Sequence, residues 1–230
     1  MTRTKTWLIG IAGFFLLLIA AGYFFDWNLA RSYVARKVTE ATGRSFAING
    51  DLDVQLSLRP RIIANDIVLG NALWSKDPIM AQIKRADFRI DILQLLRGRW
   101  AFPEISLSEP RVVVELDKDG TPNWVFDQPD KRADKQREFP AIDALAVDNG
   151  TLIYRDPTTN TDMALQVSTV AGTAGNPDST VELNGKGKFK GMQTVLQARG
   201  GALLSLRSAD KPYPIKATAT MGSTKASVDG

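Results

Sequence analysis

Asp51-Leu52-Asp53-Val54-Gln55-Leu56-Ser57-Leu58-Arg59 alternates a polar or charged residue with an aliphatic one at every step. Side chains of an extended chain point to opposite faces in turn, so this pattern predicts a strand with one dry and one wet face. The same period recurs downstream. Ala86, Phe88, Ile90 and Ile92 oppose Arg85, Asp87, Arg89 and Asp91; Val181, Leu183 and Phe189 oppose Glu182, Lys186 and Lys188; Ile215, Ala217, Ala219 and Met221 close the series. Asn49-Gly50, Asp119-Gly120, Asn149-Gly150, Lys190-Gly191 and Gly200-Gly201 lie between these runs and read as short hairpin connections. The expected fold is mainly β, a long antiparallel, curved sheet of roughly ten or more strands.

Upstream of Gly43 the period is helical. Leu29, Tyr33, Val34, Val38 and Ala41 mark one side of an amphipathic linker helix over residues 28–43, with Gly43 as its stop. Arg31, Arg36, Lys37 and Arg44 suit either lipid headgroups or a helix packed on the first strands. Earlier still, Trp7 to Phe25 reads WLIGIAGFFLLLIAAGYFF, nineteen residues without a charge. At about 1.5 Å per residue it crosses a hydrocarbon core of roughly 30 Å. Trp7, Phe14, Leu17 and Phe25 are its expected anchoring residues, and Arg3 and Lys5 in the tail 1–6 place the N-terminus in the cytoplasm. A cleaved signal peptide ending near Ala20 and Gly22 is the rival reading; the apolar run exceeds the usual h-region.

Composition narrows the function. The chain has 230 residues, no cysteine and no histidine, which removes disulfides, thiolate nucleophiles and the commonest zinc ligand. Net charge is only +4, without a basic block, so nucleic acid is not an expected partner. No catalytic residue, cofactor or metal is expected. Asp51, Asp53, Asp87 and Asp91 fall on the wet faces and read as solvated surface, and Asp117, Asp119 and Gly120 lack the later ligands of a calcium loop. Trp74 and Trp124 read as packing anchors. Gln128 to Glu138, QPDKRADKQRE, is a charged loop, flanked by a loose echo between Glu104–Gly120 and Ala144–Thr158: strand, two-residue break, strand, acidic turn.

A sheet whose strands all offer one apolar face must close, stack, or present that face to something else. One solution is a barrel or sandwich, with the apolar rows as ordinary core. The other is an open trough lined by Leu52, Val54, Leu56, Leu58, Phe88, Ile90, Val112, Val114, Leu183 and Phe189. At about 0.8 kcal/mol per methylene, shielding an acyl tail of over a dozen carbons removes a barrier on the order of 10 kcal/mol.

The order of these features resembles the N-terminal region of the AsmA family of bacterial envelope proteins. The likeness rests on the basic start, the apolar span, a linker helix ending in Gly43-Arg44, and Phe46-Ala47-Ile48-Asn49-Gly50-Asp51-Leu52. Asn71-Ala72-Leu73-Trp74, the stretch ISLSEPRVVVE over 105–115 and Asp119-Gly120-Thr121-Pro122-Asn123-Trp124 add to it. It covers roughly the first 125 residues; beyond Asp130 the likeness is one of texture. The resemblance implies a single-pass inner-membrane protein with its bulk in the periplasm, beginning as a chorein-like segment and continuing as a taco-shaped β-groove. It further implies phospholipid as the cargo and a role in outer-membrane assembly and integrity, with an outer-membrane or assembly partner. The alternative is a membrane-tethered structural module that recruits such a partner. The resulting division is a tail 1–6, a transmembrane helix 7–25, a linker helix 28–43, an AsmA-like β region 44–127, a charged loop 128–138 and a continuing groove 139–230. Family members run longer, and STKASVDG over 223–230 reads as a strand cut short.

Overall fold

The computed structural model describes residues 25–126, 141–142, 144–170, 180–201 and 215–229. Trp7, Phe14 and Leu17, and the charged stretch 128–138, lie outside the described residues. Among the described residues no helix is long and apolar enough to cross a membrane.

Asp26 caps a 3-10 turn (Trp27–Ala30) by accepting the Asn28 N–H at 3.0 Å, and α1 (Arg31–Thr42) follows. Gly43 ends α1 in the left-handed conformation, φ 67°, donating its N–H to the Thr39 carbonyl. The strands are β1 (Phe46–Ile48), β2 (Leu52–Gln55), β3 (Arg61–Gly70), β4 (Ile79–Arg89), β5 (Ala101–Phe102), β6 (Glu104–Glu115) and β7 (Ala141–Ile142). They continue as β8 (Leu145–Asp148), β9 (Gly150–Asp156), β10 (Thr161–Val170), β11 (Thr180–Phe189), β12 (Met192–Gly200), β13 (Ile215–Met221) and β14 (Thr224–Asp229). A short helix, α2 (Ile92–Leu96), follows β4.

Twelve strands form one open, curved sheet, in the order β1-β3-β4-β6-β9-β10-β11-β12-β13-β14, with β2 beside β3 and β8 beside β6. A separate parallel pair, β5 with β7, is joined to this sheet where Phe102 of β5 meets Phe88 of β4; among the described residues no other sheet packs on it. The sheet therefore neither closes nor pairs into a sandwich.

The edge formed by β1 and β2 is covered. α1 runs antiparallel to β1 and β2, and side chains of α1 and of the turn before it take up backbone groups that no strand pairs: Thr39 Oγ1 accepts from Phe46 N, Asn28 Oδ1 accepts from Leu52 N at 3.0 Å, and Arg31 donates to the Gly50 carbonyl at 2.7 Å. A free edge is a template for stray pairing, and here the helix occupies it. Val34 and Val38 are half-buried, whereas Leu29 and Tyr33 are exposed.

Three expectations need correction. First, the sheet is not antiparallel throughout: β6 pairs in parallel with β8 and β9, Ile105 opposite Leu145 and Glu115 opposite Arg155. Parallel neighbours need a crossover of a dozen or more residues, and the segment between Glu115 and Leu145 provides it. Second, Asn49-Gly50 and Asn149-Gly150 are not hairpins. Each separates two collinear strands, β1 from β2 along β3 and β8 from β9 along β6. Gly200-Gly201 likewise makes no two-residue turn, since β13 begins at Ile215. Lys190-Gly191 is the expected hairpin, with Phe189 paired to Met192 and both turn residues at positive φ, 49° and 79°. Third, the alternation stops sooner than predicted. β2 ends at Gln55, so Leu56 and Leu58 lie in the bend before Pro60; β4 ends at Arg89, and Asp91 caps α2 by accepting Gln94 N at 3.1 Å. Asp91-Ile92-Leu93-Gln94 satisfies a helix start more strongly than Ile90 and Ile92 extend a strand.

The two breaks belong to one feature. Asn49 aligns with Asp66, Asp66 with Lys84, Lys84 with Glu109 and Glu109 with Asn149 across the sheet, and Asp66, Glu109 and Asn149 all have φ near 50°. This line is a crease through the first strands. Pleat order slips there: apolar Ile62 and Ala64 lie on even positions of β3 before it, Ile67 and Leu69 on odd positions after it. At Gly50 the chains approach so closely that a Cβ would sit 2.8 Å from Asn65 Cβ. The sequence echo noted above is thus realised as two parallel strands side by side, with their breaks in register.

Candidate functional site

One row of paired residues crosses the sheet from strand to strand: Phe46, Leu69, Ala81, Val112, Leu152, Leu165, Gly185, Leu196, Ala219, Ala226. Every member is apolar or glycine. Two residues along, Gly150, Val167, Leu183, Ala198, Ala217 and Val228 form a second such row. Facing the other way, after apolar Ala47 and Val68 on β1 and β3, Gln82, Arg111, Thr151, Gln166, Asn184, Gln197, Thr218 and Ser227 make a row that is polar from β4 onward. The strands thus carry a dry side and a wet side over about 40 Å, at about 4.8 Å per strand.

The dry side is not a sealed core. Leu152, Leu165, Leu183 and Leu196 are each half-buried. Only ten apolar side chains fall in the fully buried class among the described residues, and Val113, on the wet-side pleat, is the one with no exposure at all. A stacked sandwich would place the paired leucines of facing sheets out of water.

Of the residues expected to line a trough, Val112, Val114, Leu183 and Phe189 fall on this face, Val114 opposite Tyr154 and Phe189 at the β11–β12 turn. Leu52, Val54 and Phe88 lie on the other side of the crease, Leu52 with Ala64 and Ala86, Val54 with Ile62 and Phe88. Phe88 packs edge-on against Phe102 at 6.0 Å. Ile90 sits just past β4, donating its N–H to the Pro60 carbonyl at 3.1 Å, and Leu56 and Leu58 are exposed in the bend. Phe25 stands edge-on to Trp27 at 5.1 Å. Leu152, Leu165 and Leu196, the centre of the row, are members that the sequence reading passed over; the alternation in Met163-Ala164-Leu165-Gln166-Val167 signals two neighbouring positions.

At one rim of the sheet a buried polar knot joins the β3–β4 connection to the chain after β6. Asn123, with no exposure, donates to Asn71 Oδ1 at 3.0 Å and to the Val113 carbonyl at 2.9 Å, and its Oδ1 accepts from Glu115 N at 3.1 Å. Asn71 donates to Glu115 Oε1 at 2.9 Å, and Ser75 donates to the same oxygen. Arg155 lies 3.6 Å from the other Glu115 oxygen, and Arg111 donates to Asp77 at 2.9 Å. Asn71-Ala72-Leu73-Trp74 and Thr121-Pro122-Asn123-Trp124 are therefore two halves of one lock. Trp74 and Trp124 are partly exposed beside it and anchor little. An open cleft of about 880 Å³ adjoins the knot, lined by Trp74, Lys76, Asp77, Glu115, Arg155 and Asp162 among others.

The acidic residues take structural parts. Asp87 accepts two hydrogen bonds from Arg61, at 2.8 and 2.6 Å, and is not simply solvated; Asp117 Oδ1 accepts from Asp119 N and Thr121 N and closes its own loop. The Arg61 guanidinium holds the Asp87 carboxyl below its ordinary range, and Arg111 does the same for Asp77. The unfolded chain therefore binds these protons more tightly than the folded one. Their stabilisation is present above about pH 4 and is lost as pH falls through the depressed folded values. Thermal melts should show a midpoint falling with pH below about 4, and Asp87→Asn should flatten that fall.

A model of the AsmA family matches residues 1–227. The chain is also similar to the AsmA family protein YhjG of Escherichia coli K12, at 27% identity over 266 residues, covering 100% of this chain and 39% of that protein. It thus spans well under half the length of that relative. No solved structure matches it. An open β-sheet fits a role in the cell envelope, and by its match across nearly all of its length the chain belongs to the AsmA family.

Proposed function

We propose that the chain is the inner-membrane end of a phospholipid carrier: the apolar stretch 7–25 anchors it, the bulk lies in the periplasm, and acyl chains lie along the dry face of the sheet on their way toward the outer membrane. The observation that carries this reading is the unbroken apolar row from Phe46 to Ala226, its central leucines half-buried and, among the described residues, without a second sheet over it. Such a face is costly in water, at about 25 cal/mol per Å², and a lipid tail removes that cost without directional bonding. No nucleophile or general base is needed, so the role is carriage and not catalysis. Headgroups stay at the rim, where charged side chains stand.

The test is positional. A photocrosslinking residue at Leu165 or Leu196 in the full chain, irradiated in cells, should label phospholipid; the same residue at Gln166 or Gln197, one step along the same strands but on the wet face, should not. Equal labelling of the two faces, or labelling of protein alone from Leu165 and Leu196, would sink the proposal. Leu196→Asp should reduce co-purified phospholipid by about fivefold or more while shifting stability by only about 1 kcal/mol, because the side chain is already half in water.

A further inference from the structure

The two ends of the sheet are unlike, and one of them is built like a surface for lipid headgroups. At that end the bend after β2 and the helix α2 lie together, joined by the Ile90 N–H to the Pro60 carbonyl at 3.1 Å and by Arg59 to Asp91 at 3.5 Å. On α2, Ile92 and Leu95 turn inward, whereas Leu93 and Leu96, one helical turn apart, are 54% and 79% exposed. Leu58 is 77% and Trp100 56% exposed. Four large apolar side chains thus stand in water at one end of a molecule whose apolar face lies elsewhere.

Charge and chain path select the occupant. Asp91 and Glu104 are taken by Arg59 and Arg89, whereas Arg97 and Arg99 are exposed and pair with no carboxylate among the described residues. Leucines and a tryptophan interleaved with exposed arginines fit anionic lipid headgroups over an acyl boundary better than they fit a protein partner. The chain also arrives here. Because α1 runs antiparallel to β1 and β2, with Asn28 bonded to Leu52, its N-terminal end with Phe25 and Trp27 lies toward the bend, directly after the apolar stretch 7–25. Leu73, fully exposed on the β3–β4 connection, lies at the opposite end, about 30 Å away along the ten residues of β3. Its surroundings are of mixed charge, Lys76, Lys118 and Arg155 standing among Asp77, Asp117 and Asp119.

We propose that this end is a second membrane contact, in which Leu58, Leu93, Leu96 and Trp100 enter the interfacial layer of the bilayer that holds the anchor, with Arg97 and Arg99 on anionic headgroups. The inference rests on the anchored reading above for which end faces the bilayer. It sets the corner of the sheet formed by the β2–β3 bend and α2 at the lipid surface.

The chain has no cysteine, so single labels are clean. Full-length protein carrying an environment-sensitive fluorophore at Leu96→Cys, Leu73→Cys or Phe14→Cys is reconstituted into vesicles of phosphatidylethanolamine with phosphatidylglycerol, with and without a lipid bearing a shallow quencher. Quenching at Leu96→Cys should exceed that at Leu73→Cys by about threefold or more, and should fall when phosphatidylcholine replaces phosphatidylglycerol. If Phe14→Cys is quenched and Leu96→Cys is quenched no more than Leu73→Cys, the second contact is overturned and the anchor stands. If Phe14→Cys itself escapes a quencher placed at any depth, the anchored reading fails. Quenching at Leu96→Cys that ignores the lipid charge overturns the part given to Arg97 and Arg99.

Discussion

Asn123→Ala is expected to cost about 3–5 kcal/mol of stability, because the change takes a hydrogen bond from three buried groups at once, of which Asn71 Oδ1 keeps the Ala72 N–H. The Asn71 Oδ1 and the Val113 carbonyl lose a donor, and the Glu115 N–H loses its acceptor. None can turn to water, since Asn71 and Glu115 are themselves buried. Denaturant unfolding of the full chain measures the loss. Trp124→Ala, next in sequence but 42% exposed, should cost about 1 kcal/mol or less and serves as the control for the loop. A loss at Asn123 no larger than the control's would mean that the knot does not hold the rim together. Asn71→Ala should fall between them, because Ser75 still reaches Glu115.

Gly187→Val should be comparably severe and act on a different part of the molecule. A Cβ at Gly187 would run into the Asp162 carbonyl oxygen of the neighbouring strand and come within 2.9 Å of Met163 Cα. Both are backbone atoms, so relief requires β10 and β11 to separate. Among the described residues no element packs over the seam, and β11 to β14 follow it in the sheet. The expected loss is about 3 kcal/mol or more, with amide exchange accelerated in β11–β14 while β3, β4 and β6 keep their protection. Uniform acceleration across all strands would show that the sheet unfolds as one unit and that the seam is not its weak line. Gly185→Ala is the informative contrast. Its new methyl meets the Leu165 side chain, which can rotate, so the change should be mild for stability while it narrows the apolar row at its middle.

How much of this was legible follows from where the information resides. Period-2 alternation is a local property, and it located the dry residues of β6, β11 and β13 correctly, together with the Lys190-Gly191 turn and the Gly43 stop of α1. It failed where a local signal has two meanings. Asn-Gly favours positive φ, and positive φ serves a crease as well as a hairpin, so Asn49-Gly50 and Asn149-Gly150 were read as turns when they are aligned kinks. Asp91 at its alternating position was taken for a wet strand residue, although Gln94 three residues on also makes it a helix cap. Asn71 and Asn123 carry no local signal of their bond, because they stand 52 positions apart and only the fold brings them together.

The amino-acid sequence by itself determined that this protein is built of amphipathic strands with a helix before them and an uncharged stretch ahead of that, because periodicity and charge are written into consecutive residues. Only the tertiary structure decided that the strands join into one open sheet. The parallel seam depends on where a crossover of nearly thirty residues returns, and the ladder pairings bring Phe46 and Ala226 into one row from opposite ends of the described chain. Strand faces are a local choice, whereas the surface they share is set by register, and register is a relation between segments.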